Sequence, residues 1–273
     1  MSKTLEYYFN PKKKGEEYFE SFAYAPSDKK EASLGNLYMV AHLRNQSLER
    51  KEAVQKLAER IKERYYEDSD KRREDAFRAA LKEADGYLKV VARKNPNILE
   101  HLSFTVFSLS FDLDLSFSKI GDLKMFLVRG GQAFDIGKDL DINYSTPNIF
   151  PNVVGGKLEE EDQMVIFSKP FFEKIGEKKI FENFQYIKKA SDLKKLLKDK
   201  RKELRRFPGL LFYIFAKRKK ATVLLNIPSP SIPSLNIYER IYPESPVFRE
   251  KLKQSLIAIF ILILILLIGY AFF

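Results

Sequence analysis

From Ser47 to about Glu67, apolar residues return every three or four positions, at Val54, Leu57, Ala58, Ile61 and Tyr65. From about Lys71 to Arg93 they do so again, at Phe77, Ala80, Leu81, Ala84, Leu88 and Val91. This period lays one apolar stripe along each of two long helices. Asp68, Ser69 and Asp70 interrupt it and offer an N-cap for the second helix, so the pair is expected side by side over an apolar layer. After Pro96 the period shortens to two. Leu102 to Leu109 alternates through Leu102, Phe104 and Val106, Leu113 to Ile120 through Leu113, Leu115 and Phe117, and Leu123 to Val128 is nearly continuous apolar sequence. Turns at Asp112, at Gly121 with Asp122, and at Gly130 with Gly131 predict an antiparallel meander that ends near Gln132 to Ile136. Further strands are predicted at Asn36 to Ala41, Gln163 to Phe167, Leu210 to Phe215 and Thr222 to Ile227. A last helix, about Ser191 to Leu204, carries Leu193, Leu196, Leu197 and Leu204 on one face and lysines on the other.

Beyond Ile227 the pattern changes. Prolines 228, 230, 233, 243 and 246 interrupt any regular element, which predicts an extended spacer over 228–248. The eighteen residues Leu256 to Phe273 then run without a charge. As a helix they extend about 27 Å at ~1.5 Å per residue, enough to cross a hydrocarbon core of roughly 30 Å. Arg249, Lys251 and Lys253 flank the near side, so the positive-inside rule places the preceding domain in the cytoplasm of a single-pass, tail-anchored protein. No apolar segment follows the first residues that would serve as a signal peptide. Three regions are therefore expected: a domain over 1–227, the spacer over 228–248, and a cationic flank with its transmembrane helix over 249–273.

Composition narrows the chemistry. There is no cysteine, which excludes disulfides, thiolate metal sites and thiol catalysis, and only His42 and His101 offer an imidazole. The formal charge of +11 is concentrated: residues 169–220 hold 18 Lys and Arg against 6 Asp and Glu, and the remainder is about neutral. No recognition helix or aromatic-interleaved basic stretch points to nucleic acid. In a bilayer-anchored chain the basic surface, including the run Lys217, Arg218, Lys219 and Lys220, suits an anionic leaflet, where a well-placed cation gains about 1 kcal/mol, or an acidic partner. The phosphate loop, the Gly-x-Ser-x-Gly elbow and the His-Glu-x-x-His pair are all missing from the sequence. The acidic turn Gly137 to Asp141 is too short for a calcium loop.

The order of elements, strand, two long helices, meander with a Gly-Asp turn, further strands and a late helix, resembles the PPM-type, metal-dependent protein phosphatases (protein phosphatase 2C-like). Three segments carry the resemblance over roughly residues 15–216. Ser103 to Ile136 resembles the family's central stretch with its "GDSR" turn. Leu158 to Gly176 resembles the acidic turn, apolar strand and "SDG" with the helix that follows. Gly35 to Gln46 stands where a strand ends in "DGMGG". The resemblance implies an α+β fold, an α-β-β-α sandwich, here followed by the one C-terminal transmembrane helix. In that family, acidic side chains at the strand ends hold two manganese or magnesium ions and a bridging water that attacks the phosphoryl group.

At those positions this sequence departs from the family. His42-Leu43 replaces "DG", Ser168-Lys169-Pro170 replaces "SDG", and Pro208-Gly209 replaces the late "DN". The early "NED" segment is matched by Phe19-Glu20-Ser21, which leaves Glu20 as a candidate ligand. Asp122 survives in the Gly-Asp turn as a second. Lys169 is the most damaging change: an ammonium about 4 Å from a cation costs on the order of 4 kcal/mol per opposing unit charge at an effective dielectric near 20. If the register is shifted, Glu16, Glu17, Asp28 or the run Glu159 to Asp162 are the carboxylates left to supply a site. The expectation is thus a membrane-tethered, catalytically degenerate phosphatase-like domain, with no cofactor, that binds a phosphoprotein or signalling partner. One alternative is an active, divergent serine/threonine phosphatase using Mn or Mg, and another a basic membrane-surface structural protein.

Overall fold

Central strands buried on both faces set the architecture. The computed structural model describes residues 2–9, 17–67, 69–140, 148–150, 152–204 and 206–218. In chain order these form β1 (Lys3–Phe9), β2 (Tyr18–Tyr24), β3 (Asn36–Leu43), α1 (Leu48–Glu67), α2 (Arg73–Lys94), the short α3 (Ile98–His101), β4 (Leu102–Leu109) and β5 (Asp114–Ile120). They continue with β6 (Lys124–Arg129), β7 (Gln132–Asp135), β8 (Val154–Lys157), β9 (Gln163–Phe167), α4 (Lys169–Glu177), α5 (Ala190–Asp199), α6 (Arg201–Leu204) and β10 (Gly209–Phe215). The strands make two five-stranded sheets, ordered β2-β3-β4-β5-β8 and β1-β10-β9-β6-β7. Every pairing is antiparallel.

Because successive side chains point to opposite faces, each central strand feeds two apolar layers. In β3, Leu37, Met39, Ala41 and Leu43 join Leu57, Ile61, Phe77 and Leu81 of α1 and α2, while Tyr38 and Val40 face the other sheet. In β10, Leu211 and Tyr213 meet Phe171 of α4 and Leu193 and Leu197 of α5, while Leu210, Phe212 and Ile214 face inward. Three cores between four layers result, the α-β-β-α sandwich that the resemblance implies. Ser47 starts α1, its hydroxyl accepting the Arg50 N–H at 3.2 Å.

Three expectations are corrected. The meander is divided: β4 and β5 pair in one sheet, β6 and β7 in the other, and the chain crosses between sheets at Gly121-Asp122. Alternation reports which face is buried and leaves the pairing partner open. The second long helix begins after Arg72, whose guanidinium bonds Asp75 at 2.9 Å in place of a side-chain cap from residues 69–70. The late helix breaks at Lys200 into α5 and α6. Strands β1, β2 and β8 were not predicted. The Thr222–Ile227 strand, the spacer and the C-terminal apolar run lie outside the described residues. Among the described residues no helix is long and apolar enough to cross a membrane.

Candidate functional site

One end of the sandwich gathers the end of β3, the start of β4, the Gly121-Asp122 turn, the start of α4 and the start of β10. These are the positions at which the sequence departs from the phosphatase motifs, and the register of the two sheets explains why they converge. His42 pairs with Ser103 across β3 and β4, and with Phe19 across β3 and β2. Leu210, at the start of β10, exchanges two bonds with Ser168: the Ser168 N–H donates to the Leu210 carbonyl at 3.2 Å, and the Leu210 N–H donates to the Ser168 hydroxyl at 3.3 Å.

His42 is 2% exposed on the inner face of its sheet. Its ring stacks on Phe19, centroids 4.6 Å apart, and its Nε2 stands 3.7 Å from Oε1 of Glu17. Nε2 of His42 and Oε2 of Glu17 are both buried without a hydrogen-bond partner among the described residues, an arrangement that carries a desolvation cost. Leu43, next in the strand, points the other way into the helix-side core.

Lys169 opens α4 and sets its Nζ 3.6 Å from Oδ2 of Asp122, with Pro170 at a first-turn position where its missing N–H costs nothing. The Asp122 N–H donates to the Ser103 hydroxyl at 3.0 Å. Gly121 is required here: its φ is +71°, and a Cβ would stand 2.6 Å from that same hydroxyl. The turn is further held by Lys119, a fully buried lysine whose Nζ donates to the carbonyls of Gly121 and Leu123, 3.3 Å each. The sequence reading missed Lys119; the signal was there, since Leu115, Phe117 and Lys119 share the inward face of β5. At the place of the late "DN", Pro208 is half-buried and Gly209 lies where a Cβ would come within 2.5 Å of Phe171, itself stacked on Phe9 at 4.2 Å. Aromatic packing occupies that corner.

The remaining candidates lie elsewhere. Glu20 sits on the opposite face of β2 from Phe19, toward α1, accepting the Tyr18 hydroxyl at 3.0 Å; burial first, and the Glu20 charge second, push the Tyr18 phenol well above its usual range. Asp28 caps a surface turn by accepting the N–H groups of Lys30 and Glu31. Asp162 is at the far end of the molecule, paired with Arg129. Lys217 and Arg218 are exposed beyond β10, and Lys219, Lys220, Leu256 and Phe273 lie outside the described residues. Among the described residues no group of three or more His, Asp or Glu side chains is placed to hold a metal ion.

Several solved structures with this arrangement are phosphatase domains. The Mycobacterium tuberculosis serine/threonine phosphatase PstP matches with a TM-score of 0.52 at 12% identity, covering 80% of this chain and 99% of its own. The PstP catalytic domain in complex with two manganese ions gives 0.53 at 14%, covering 79% and 97%. The structure comprising the PP2C phosphatase domain and a fragment of the regulatory domain of SpoIIE from Bacillus subtilis gives 0.52 at 13%, covering 79% and 63%. No protein-family model and no curated protein matches the sequence. The chain has the fold of the PPM-type, protein phosphatase 2C-like domains.

Proposed function

We propose that this chain is a catalytically degenerate phosphatase-like domain, tethered by its C-terminal apolar run to a membrane, that works in the cytoplasm as a binding or regulatory module. The observation that carries the reading is the donor set at the motif end of the sandwich. A pair of manganese or magnesium ions needs several oxygen ligands, most of them carboxylates. Here the described residues offer one imidazole, the Glu17 carboxylate beside it, and Asp122 with the Lys169 ammonium against it. These residues do not fit a two-metal centre.

The partner proposed for such a module is a phosphoprotein or signalling protein, docked without turnover on a fold whose sheets and helices stay closely packed. The alternative, an active Mn- or Mg-dependent serine/threonine phosphatase, draws on one observation, the two buried polar atoms of His42 and Glu17 that lack hydrogen-bond partners among the described residues. Manganese titration of the full chain in detergent by calorimetry, with hydrolysis of a phosphothreonine peptide in parallel, separates the two. Neither binding nor turnover is expected, and micromolar binding with metal-dependent turnover overturns the degenerate reading.

A further inference from the structure

Residues 169–220 hold the chain's surplus of positive charge, and part of it lies on the outer face of α5. Along α5, Leu193 and Leu197 are buried against the sheet while Lys195 and Lys198 are exposed on the opposite side, with Asp199 beside them. Lys188 and Lys189 precede the helix and Lys202 follows it in α6, all exposed. The sheet fixes how this helix sits relative to the chain's exit. Gln163 donates to the Ile187 carbonyl at 2.6 Å and pairs in register with Phe215, which brings Lys188 and Lys189 to the end of β10 from which Lys217 and Arg218 emerge. Tyr186, two residues before Lys188, is 71% exposed.

We infer that this face, Tyr186 with the lysines that precede and line α5, lies against an anionic bilayer surface. The inference rests on the membrane-tethered reading above and adds an orientation to it. Two features favour lipid over an acidic protein. The described chain ends on this face and continues toward the apolar run at Leu256, so anchoring delivers this face to a bilayer at high effective concentration. An exposed tyrosine among lysines also has the amphipathic chemistry of a headgroup boundary, ring toward the acyl region and cations toward phosphate. Near an anionic leaflet each such cation is worth about fivefold in affinity, and the attraction is screened within about 3 Å at 1 M salt.

The chain contains no tryptophan, so Tyr186→Trp places the sole indole on this face. The full-length variant, reconstituted into vesicles of phosphatidylcholine with or without phosphatidylserine and carrying doxyl-labelled lipid, is expected to show quenched indole emission only with phosphatidylserine. High salt reverses the quenching. The charge reversals Lys188→Glu, Lys189→Glu, Lys195→Glu and Lys198→Glu, added together, bring it to the neutral-vesicle level with an unchanged circular dichroism spectrum. Equal quenching in neutral vesicles, or no quenching in a chain that floats with anionic ones, overturns the proposal. A response to polyglutamate but not to anionic lipid also overturns it and assigns the face to an acidic protein. Flotation after an alkaline wash reads the anchor separately. A chain that washes off sinks the tethered reading, while phosphatidylserine-dependent quenching would still support the lipid-facing surface.

Discussion

The two ends of the sandwich are built from the same strands and are finished in opposite ways. At the far end, Arg129 grips Asp162 through Nε at 3.0 and 3.1 Å and through a second nitrogen at 2.5 Å. Asp162 is almost wholly buried, and its carboxylate also accepts the Glu159 N–H at 2.6 Å, while its carbonyl accepts Ala216 at 2.7 Å. One residue, Asp162, ties β6, the turn before β9 and the exit of β10 together. At the motif end, polar groups are left with less. The His42 and Glu17 atoms stand 3.7 Å apart without a hydrogen bond, and the Lys169–Asp122 pair is about half exposed. The comparison teaches which buried polarity this fold uses for cohesion and which it carries without a hydrogen-bond partner among the described residues.

Arg129→Ala strikes the cohesive end and carries the largest expected effect. It strands the Asp162 carboxylate in a buried site with no charge partner, which costs about 3 kcal/mol. Urea denaturation of the full chain in detergent measures it. A loss below about 1 kcal/mol would place this pair with ordinary exposed ion pairs and erase the contrast between the ends.

His42→Phe tests the other end and should act with the opposite sign. The replacement keeps a flat ring on Phe19 and removes a buried nitrogen that lacks a hydrogen bond, so stability is expected to rise by about 1 kcal/mol in the same assay. A fall of similar size would mean that the imbidazole ring nitrogen is satisfied in the native state by a group that this end must hold. That outcome would favour the metal-dependent reading over the degenerate one.

Much of this was legible in the sequence, for reasons that can be named. The two long helices, β3, β4, β9 and β10 announce themselves because each buries apolar side chains at its own period. β1 follows the same rule through Leu5, Tyr7 and Phe9, but is too aromatic and too near charged sequence to stand out. β8, Val-Gly-Gly-Lys, is exposed along its whole length and exists through its pairing with β5, so no local pattern marks it. At the motif end, the positions of His42, Ser168, Lys169 and Gly209 could be read off by resemblance, because each substitution falls at a strand or helix terminus. What each side chain does there could not. That Asp122 meets Lys169, that Glu17 and not Glu20 reaches His42, and that Lys119 holds the turn from within all depend on which face of a strand meets which neighbour, and only packing decides that.

Lys169→Ala has the smallest expected effect on stability and the sharpest consequence for the comparison. Lys169 and Asp122 are 45% and 41% exposed at a separation of 3.6 Å, so water and salt screen the pair and its removal should shift stability by less than about 0.5 kcal/mol. The informative readout is manganese binding by the same variant. If the ammonium alone closes this end to cations, its removal frees Asp122 and binding should appear. If the site is lost because too few carboxylates converge, the variant should bind no better than the parent, since Asp122 alone is one ligand where a hard divalent cation takes about six. We expect no gain. Micromolar binding in Lys169→Ala would reduce the degeneracy of this end to a single charge and place the chain one substitution away from a metal centre.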